Sequence, residues 1–173
     1  RGSKYKGNFV IELLVFDVDG CLTNGQITYS ESGDEIKSFS VKDGLAISSW
    51  IRLGKKAAII TGRRSKIVER RAKELGINHL FQGVNNKLEV LESICKKEKI
   101  ELCNVAAIGD DLNDYNMLNA VGKSFTPADG SEYVRELCSV VLYNAGGNGA
   151  VREMIETVIK ESGLEEDFLK IWK

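Results

Sequence analysis

Short apolar runs recur along this chain, and each one stops at polar residues before an amphipathic stretch begins. The first run, at 13–16, ends at Asp17. Continuous apolar runs of this length are typical of strands that are buried on both faces of a parallel sheet. The clearest strands are predicted at 13–17, 57–61 and 105–108, and weaker ones at 80–84, 124–125 and 139–143.

Between these strands, apolar residues recur at helical spacing, and Gly54 and Gly76 stand where helices should end. Strands that alternate with helices predict a three-layer α/β/α Rossmann-like fold with a mainly parallel sheet. Helices are predicted at 43–53, 65–75, from residue 86 onward, at 115–120 and 131–137, and in the C-terminal segment 145–173.

Residues 26–41 break this alternation. Two β-prone runs, 26–30 and 35–41, flank a turn at 31–34, which predicts a projecting β-hairpin. An isolated apolar hairpin is only marginally stable in water, so another surface should cover it. We expect that surface to be a subunit partner, and packing against the chain's own domain is the alternative.

Composition narrows the possible functions. The chain has 173 residues, 43% of them hydrophobic, which suits one domain spanning 1–173. Its 24 basic and 25 acidic residues are interspersed, so no basic surface for nucleic acid is expected. No apolar run reaches the roughly 18 residues of a membrane span. The four cysteines form no CxxC pair, which suits a reducing compartment. We therefore expect a cytoplasmic protein without a nucleic-acid or membrane partner.

Asp17 and Asp19 follow the first predicted strand. Alternation along a strand turns both side chains to the same side, where two like charges repel. A hard cation such as Mg²⁺ is the usual compensation for paired carboxylates. The alternative is that the two acids only begin a turn, as acids often do.

Other predicted strands are also followed by polar residues. Since ligands collect at the carboxyl ends of parallel strands, we expect these side chains to converge with the aspartate pair. Carboxylates, a hydroxyl and a lysine are the groups that phosphoryl transfer requires. Each also has a simpler explanation as a helix cap, a solvated charge or a turn former. The residues are Thr61, Lys87 and, within the sequence GDDLND, Asp110, Asp111 and Asp114.

These motifs resemble, in order, the four motifs of the haloacid-dehalogenase superfamily of phosphohydrolases: FDVDGCLT, IITGR, the lone Lys87 and IGDDLND. The resemblance covers roughly residues 13–151. A closer similarity is to the group without a cap domain that hydrolyses 3-deoxy-D-manno-octulosonate 8-phosphate. That group often has a basic residue where this chain has Ser48 and Asn148. The similarity is carried by the hairpin, SVKDG (40–44), TGR (61–63), KIVERR (66–71) and GGNGAVRE (146–153).

The resemblance implies a role for each acidic motif residue. Asp17 is expected to be the nucleophile, and Asp19 the general acid and base. Mg²⁺ is expected on the Asp17 carboxylate, the Asp19 main-chain carbonyl and the Asp110 carboxylate. Asp111 and Asp114 are expected to support this site.

The resemblance also implies which residues hold the substrate. Thr61 and Lys87 are expected to bind phosphoryl oxygens and so to complete the catalytic set. A guanidinium group matches a carboxylate bidentately, which suits arginines for gripping a sugar acid. The expected substrate-binding residues are Asp19, Ser40, Val41, Lys42, Asp43, Gly44, Gly62, Arg63, Arg71 and Lys87.

The function that follows is a Mg²⁺-dependent phosphomonoester hydrolase, working through an aspartyl phosphate in lipopolysaccharide precursor synthesis. The resemblance further implies a homotetramer whose hairpins pack together. The segment 145–173 is expected to contain a Gly-rich tail and C-terminal helices. The tail is expected to fold over bound substrate, because Gly146, Gly147 and Gly149 permit motion.

Three other functions fit part of the pattern. A phosphatase for a nine-carbon sugar-acid 9-phosphate is the nearest, and Arg63 after Thr61 and Gly62 favours the eight-carbon substrate. A signalling receiver domain has similar residues, but its acids lie on different strands. The third is a non-catalytic module that oligomerises through its hairpin, and the complete set of motifs argues against it.

Overall fold

The computed structural model describes residues 5, 7 and 9–173 of the chain. Its centre is a six-stranded sheet in which every neighbouring pair is parallel, and two further strands form a separate antiparallel hairpin. The strands are β1 (Leu13–Phe16), β2 (Thr28–Tyr29), β3 (Glu35–Ile36), β4 (Lys56–Ile60), β5 (His79–Phe81), β6 (Val105–Ile108), β7 (Lys123–Thr126) and β8 (Val140–Val141). The order in the sheet is β5-β4-β1-β6-β7-β8, which places β1 between β4 and β6.

Helices cover both faces of this sheet. Leu14 and Phe16 pack on one side with Trp50, while Leu13 and Val15 pack on the other. The predicted three-layer fold is confirmed. The longest helices have 12 residues, and no helix in the described part of the chain is long and apolar enough to cross a membrane. The helices are α1 (Val41–Arg52), α2 (Lys66–Leu75), α3 (Lys87–Glu98), α4 (Tyr115–Ala120), α5 (Glu132–Leu137), α6 (Ala150–Glu161) and α7 (Glu165–Lys170).

The hairpin strands are shorter than the predicted 26–30 and 35–41, and helix α1 begins earlier than its apolar pattern indicates. Only the short strands β2 and β3 pair with one another. Val41, predicted at the end of a strand, is instead the first residue of α1. The hydroxyl of Ser40 accepts the N–H of Asp43 at 3.3 Å and caps the helix. This cap outweighs the strand propensity of the β-branched Val41.

The Gly-rich segment 145–149 packs against the loop that follows β1. The N–H of Gly147 donates to the carbonyl oxygen of Cys21 at 3.0 Å, and a Cβ on Gly146 would lie 1.8 Å from the carbonyl oxygen of Gly20. Glycine is required at 146 because two backbones meet there, whereas the sequence alone indicates only freedom of motion. Helix α6 continues from this segment into the core, where Met154 is fully buried.

Candidate active site

The ends of three neighbouring strands form the candidate active site. Because β4, β1 and β6 are parallel and in register, their carboxyl ends lie at one edge of the sheet. Asp17, Thr61 and Asp110 follow these ends within two residues. All three line one cleft of about 230 Å³. The lining consists of Asp17, Asp19, Gly25, Thr61, Gly62, Arg63, Asp110, Asp111 and Asn113.

The loop after β1 brings backbone and carboxylate groups close together. The buried hydroxyl of Thr23 accepts the N–H groups of Gly20 and Gly25 at 3.3 and 3.2 Å. Gly20 has a φ of +91°, and a Cβ there would lie 1.9 Å from Asp110 Oδ2. Both its conformation and its surroundings therefore require glycine. The Asp110 carboxylate lies directly against this loop.

Lys87 joins two buried carboxylates at the cleft. Its Nζ lies 3.0 Å from Asp17 Oδ1 and 2.6 Å from Asp114 Oδ1, and all three residues are at most 5% exposed. Asn86 caps α3 by accepting the N–H of Glu89, which places Lys87 at the start of that helix. Burial and the charge of Asp114 raise the pKa of Asp17 well above its usual value, although Lys87 acts in the opposite direction. Burial opposes the charge of Lys87, but the two carboxylates outweigh burial and raise its pKa.

Asp114 also holds the loop between β6 and α4. Its Oδ2 accepts the N–H groups of Asp110 at 3.0 Å and of Asp111 at 3.3 Å. Gly109 leaves room for this carboxylate, since a Cβ on Gly109 would lie 2.5 Å from Asp114 Cβ. One fully buried acid therefore positions both Lys87 and the loop that carries Asp110.

The carboxylates of Asp17 and Asp110 form a site that suits a divalent cation. Ligand atoms of Asp17, Cys21 and Asp110 lie within 4.8 Å of one another. Burial and the nearby charge of Asp114 raise the pKa of Asp110 to about 6. Crowded, desolvated carboxylates fit Mg²⁺, which binds one or two acids in typical sites. The Cys21 thiol is a poor ligand for this hard ion, and burial raises its pKa well above the usual value.

Comparison with known proteins places the chain among its relatives. The sequence profile of the haloacid dehalogenase-like hydrolases matches residues 80–155. The 3-deoxy-D-manno-octulosonate 8-phosphate phosphatase KdsC of Salmonella typhi is 41% identical over 153 residues, which are 88% of this chain and 81% of that protein. The chain belongs to the 3-deoxy-D-manno-octulosonate 8-phosphate phosphatase family.

Solved structures of this phosphatase family have the same fold. The enzyme from Moraxella catarrhalis, in complex with a magnesium ion, a phosphate ion and a KDO molecule, has a TM-score of 0.91 and 42% identity, over 94% of each chain. A cobalt-bound form from Haemophilus influenzae has a TM-score of 0.85 and 38% identity, over 88% of this chain and 90% of that chain. The predicted superfamily, fold class and enzyme class, a phosphatase, are confirmed.

Seven of the predicted substrate-binding residues of this phosphatase lie outside the cleft lining. Lys87 is one of them and pairs with Asp17, whereas the other six form a group of their own. The guanidinium of Arg71 on α2 donates from Nη2 to the Ser40 carbonyl oxygen at 3.3 Å. The carboxylate of Asp43 accepts the N–H of Arg152 on α6 at 2.8 Å, and burial raises its pKa. These contacts join α1, α2 and α6, and none of the six residues lines the cleft around Asp17. The members of this group are Ser40, Val41, Lys42, Asp43 and Gly44 at the start of α1, together with Arg71.

Two charged residues beside the cleft were missed by the sequence analysis. Lys37 Nζ lies 2.6 Å from Asp19 Oδ1 and 2.9 Å from Glu35 Oε1. The sequence does indicate that Glu35 and Lys37 belong together. They flank Ile36, and residues two apart on a strand face the same side of it. Asn113 also lines the cleft, but an asparagine in a loop carries no such signal.

Proposed function

We propose that this chain hydrolyses 3-deoxy-D-manno-octulosonate 8-phosphate to the sugar acid and phosphate, in lipopolysaccharide precursor synthesis. The observation that carries the proposal is the one cleft shared by Asp17, Asp19, Thr61 and Asp110, with Lys87 paired to Asp17. A relative named for this activity is 41% identical over most of the chain.

In the proposed reaction, Asp17 is the nucleophile and Asp19 moves the protons. Asp17 attacks phosphorus in line, and the bond from phosphorus to the sugar oxygen breaks as Asp19 gives its proton to that oxygen. Water then attacks the aspartyl phosphate while Asp19 takes a proton from it, and phosphate leaves. The N–H of Val18, at 2.8 Å, and Lys87 both hold Asp17 Oδ1, so the nucleophile is oriented before substrate arrives.

The metal side of the cleft consists of acids. Mg²⁺ would be held by the Asp17 carboxylate, the Asp19 main-chain carbonyl and the Asp110 carboxylate, with Asp111 in support. When bound, it offsets the negative charges of the nucleophile and the phosphate ester. The main chain of Asp110 is already fixed by the Asp114 carboxylate, so this ligand is positioned by contacts within the chain itself.

The opposite side of the cleft binds phosphate and sugar. Thr61 and Lys87 hold phosphoryl oxygens, and Gly62 lets the substrate approach the backbone. The Arg63 side chain is 44% exposed and can reach the carboxylate of a sugar acid.

We propose that the chain acts as a cytoplasmic homotetramer, without a nucleic-acid or membrane partner. The hairpin exposes large apolar side chains, with Ile27, Tyr29 and Ile36 at 42, 62 and 47% exposure. Monomeric proteins rarely leave such groups uncovered on a projecting element. The separate group that includes Ser40 and Arg71 would then wall the cleft of a neighbouring subunit.

A panel of phosphate esters, with Mg²⁺ present and absent, tests this function. We expect the highest kcat/KM for 3-deoxy-D-manno-octulosonate 8-phosphate, and turnover only with Mg²⁺. A higher kcat/KM for a nine-carbon sugar-acid 9-phosphate would change the proposed substrate but leave the proposed mechanism intact. Absence of turnover for every ester, in folded protein with Mg²⁺, would overturn the proposal.

A further inference from the structure

The hairpin sends one charged side chain into the cleft wall. Lys37, which follows β3, places its Nζ 2.6 Å from Asp19 Oδ1. The Lys37 side chain is 1% exposed, although the hairpin itself lies on the surface. A buried ammonium at this distance forms a charge-assisted hydrogen bond, which is stronger and more directional than a bond between neutral groups.

The orientation of the Asp19 carboxylate depends on this contact. Among residues 5, 7 and 9–173, Lys37 is the only hydrogen-bond partner of the Asp19 side chain. Asp17, in contrast, is held by both Val18 and Lys87. The Asp19 side chain is 22% exposed, so the surrounding packing alone does not fix its torsion angles. Lys37 therefore supplies the orientation that other contacts supply for Asp17.

Lys37 is itself anchored. Glu35 Oε1 lies 2.9 Å from its Nζ, and Glu35 Oε2 lies 3.5 Å from Nη2 of Arg63 in the cleft lining. Three ion pairs thus form a continuous path from Arg63 through the hairpin to Asp19. This path holds the ammonium on the cleft side of the hairpin.

We propose that Lys37 is the positioning residue for Asp19, selecting which carboxyl oxygen carries the transferred proton. Because Lys37 occupies Oδ1, the proton lies on Oδ2. It passes from there to the sugar oxygen as the bond from that oxygen to phosphorus breaks. The inference rests on the proposed role of Asp19 as general acid.

The test compares two esters that differ in their need for this proton. An alkoxide is a poor leaving group without protonation, whereas p-nitrophenolate leaves readily without it. A simple alkyl phosphate without a carboxylate is used, so that direct contact between Lys37 and a sugar acid plays no part. The constant kcat/KM is measured on the Mg²⁺-loaded enzyme, because it covers only the steps up to departure of the alcohol. Hydrolysis of the phosphoenzyme, in which Asp19 acts as the base for both esters, therefore does not affect this constant.

Lys37→Met should lower kcat/KM for the alkyl ester at least about 10-fold and change it less than about 3-fold for p-nitrophenyl phosphate. Lys37→Arg should restore most of the loss, because it keeps the charged donor. In an Asp19→Asn background, Lys37→Met should cause no further loss on the alkyl ester. Lys97→Met, on an exposed position of α3, is the matched control and should behave as wild type.

Equal losses on both esters would overturn the inference, since they would indicate a general structural defect. An unchanged kcat/KM of Lys37→Met for the alkyl ester would also overturn it, because Lys37 would then play no part in the proton transfer from Asp19. An additive loss in the Asp19→Asn background would show that Lys37 does not act through Asp19. None of these results depends on which sugar acid is the substrate, so the substrate proposal stands or falls separately.

Discussion

Lys87 Nζ lies 3.0 Å from Asp17 Oδ1, and the two side chains are only 1 and 6% exposed. A buried ammonium and carboxylate at this distance are kept together because separating them would leave each charge unpaired in a poorly polarisable environment. The same ammonium also pairs with Asp114, which has no exposed surface. Lys87 therefore balances the charge of two buried carboxylates, one of which belongs to the proposed nucleophile.

Lys87→Met should be strongly destabilising, because it leaves two buried carboxylates without their cation. We expect a loss of about 3–5 kcal/mol in the free energy of unfolding, measured by urea denaturation. Activity on p-nitrophenyl phosphate should fall at least about 100-fold. Lys97→Met removes an exposed lysine from the same helix and is the control. Stability and activity equal to wild type would show that the buried pair is not needed.

Asp110 makes the stability of the metal-free protein depend on pH. Its pKa is raised to about 6, above the ordinary value of 3.8 that an aspartate has in an unfolded chain, mainly by burial and by the charge of Asp114. The folded state therefore keeps this proton to a higher pH than the unfolded state. The stability it contributes is full below pH 4 and is lost as pH rises through about 6.

Asp110→Asn cannot ionise, so it should stabilise the metal-free protein at pH 7.5 by roughly 1–3 kcal/mol relative to wild type. The same change should remove most of the stabilisation that added Mg²⁺ gives, and it should abolish activity. Thermal melts with and without Mg²⁺, at pH 4.5 and 7.5, measure both effects. An Asp110→Asn variant that gains as much stability from Mg²⁺ as wild type would exclude Asp110 as a ligand.

Local patterns in the sequence predicted the sheet and most of the cleft. The bounds of β6 and α4 agree with the predicted 105–108 and 115–120, because an apolar run buried on both faces and a turn rich in Asp and Asn are both local signals. Asp17, Thr61 and Asp110 converge because parallel strands end at one edge. The contact of Lys37 with Asp19 spans 18 residues and depends on how the hairpin folds back, which no local pattern specifies.

The Gly-rich segment shows the same limit. Its glycines suggest a mobile tail, yet Gly146 is placed against the carbonyl oxygen of Gly20, far away in the sequence. Glycine is required both where two distant backbones pack closely and where the chain must move freely. The three-dimensional arrangement distinguishes these two cases, and the sequence alone does not.

Gly146→Ala should therefore disturb the loop after β1, because a Cβ would lie 1.8 Å from the Gly20 carbonyl oxygen. We expect a destabilisation of about 1–3 kcal/mol and a clear fall in kcat, since that loop carries Asp19. Gly163→Ala is the control: its φ is +67°, but a Cβ there meets no atom within 4 Å. It should cost about 1 kcal/mol through backbone strain and leave kcat unchanged. Equal kcat in both variants would show that the segment does not support the loop.

Ile36→Asp should dissociate the proposed tetramer. Ile36 is 47% exposed and lies in neither hydrophobic core, so the fold should remain intact. A charge on this apolar surface is unfavourable in a subunit interface. Light scattering coupled to size exclusion measures the mass, and Glu31→Gln in the hairpin turn is the control. A wild-type protein that is monomeric at every concentration would contradict the assembly, as would an Ile36→Asp variant of unchanged mass.

The most direct test of the proposed mechanism is the covalent intermediate on Asp17. Enzyme that is turning over substrate with Mg²⁺ is quenched in acid and treated with borohydride, which reduces an acyl phosphate to an alcohol, and its peptides are analysed by mass spectrometry. We predict homoserine in place of aspartate at position 17 of the wild type, and loss of turnover by at least about 10⁴-fold in a folded Asp17→Asn variant. Reduction at a different residue, or turnover by Asp17→Asn at the wild-type rate, would contradict the assignment of Asp17 as the nucleophile.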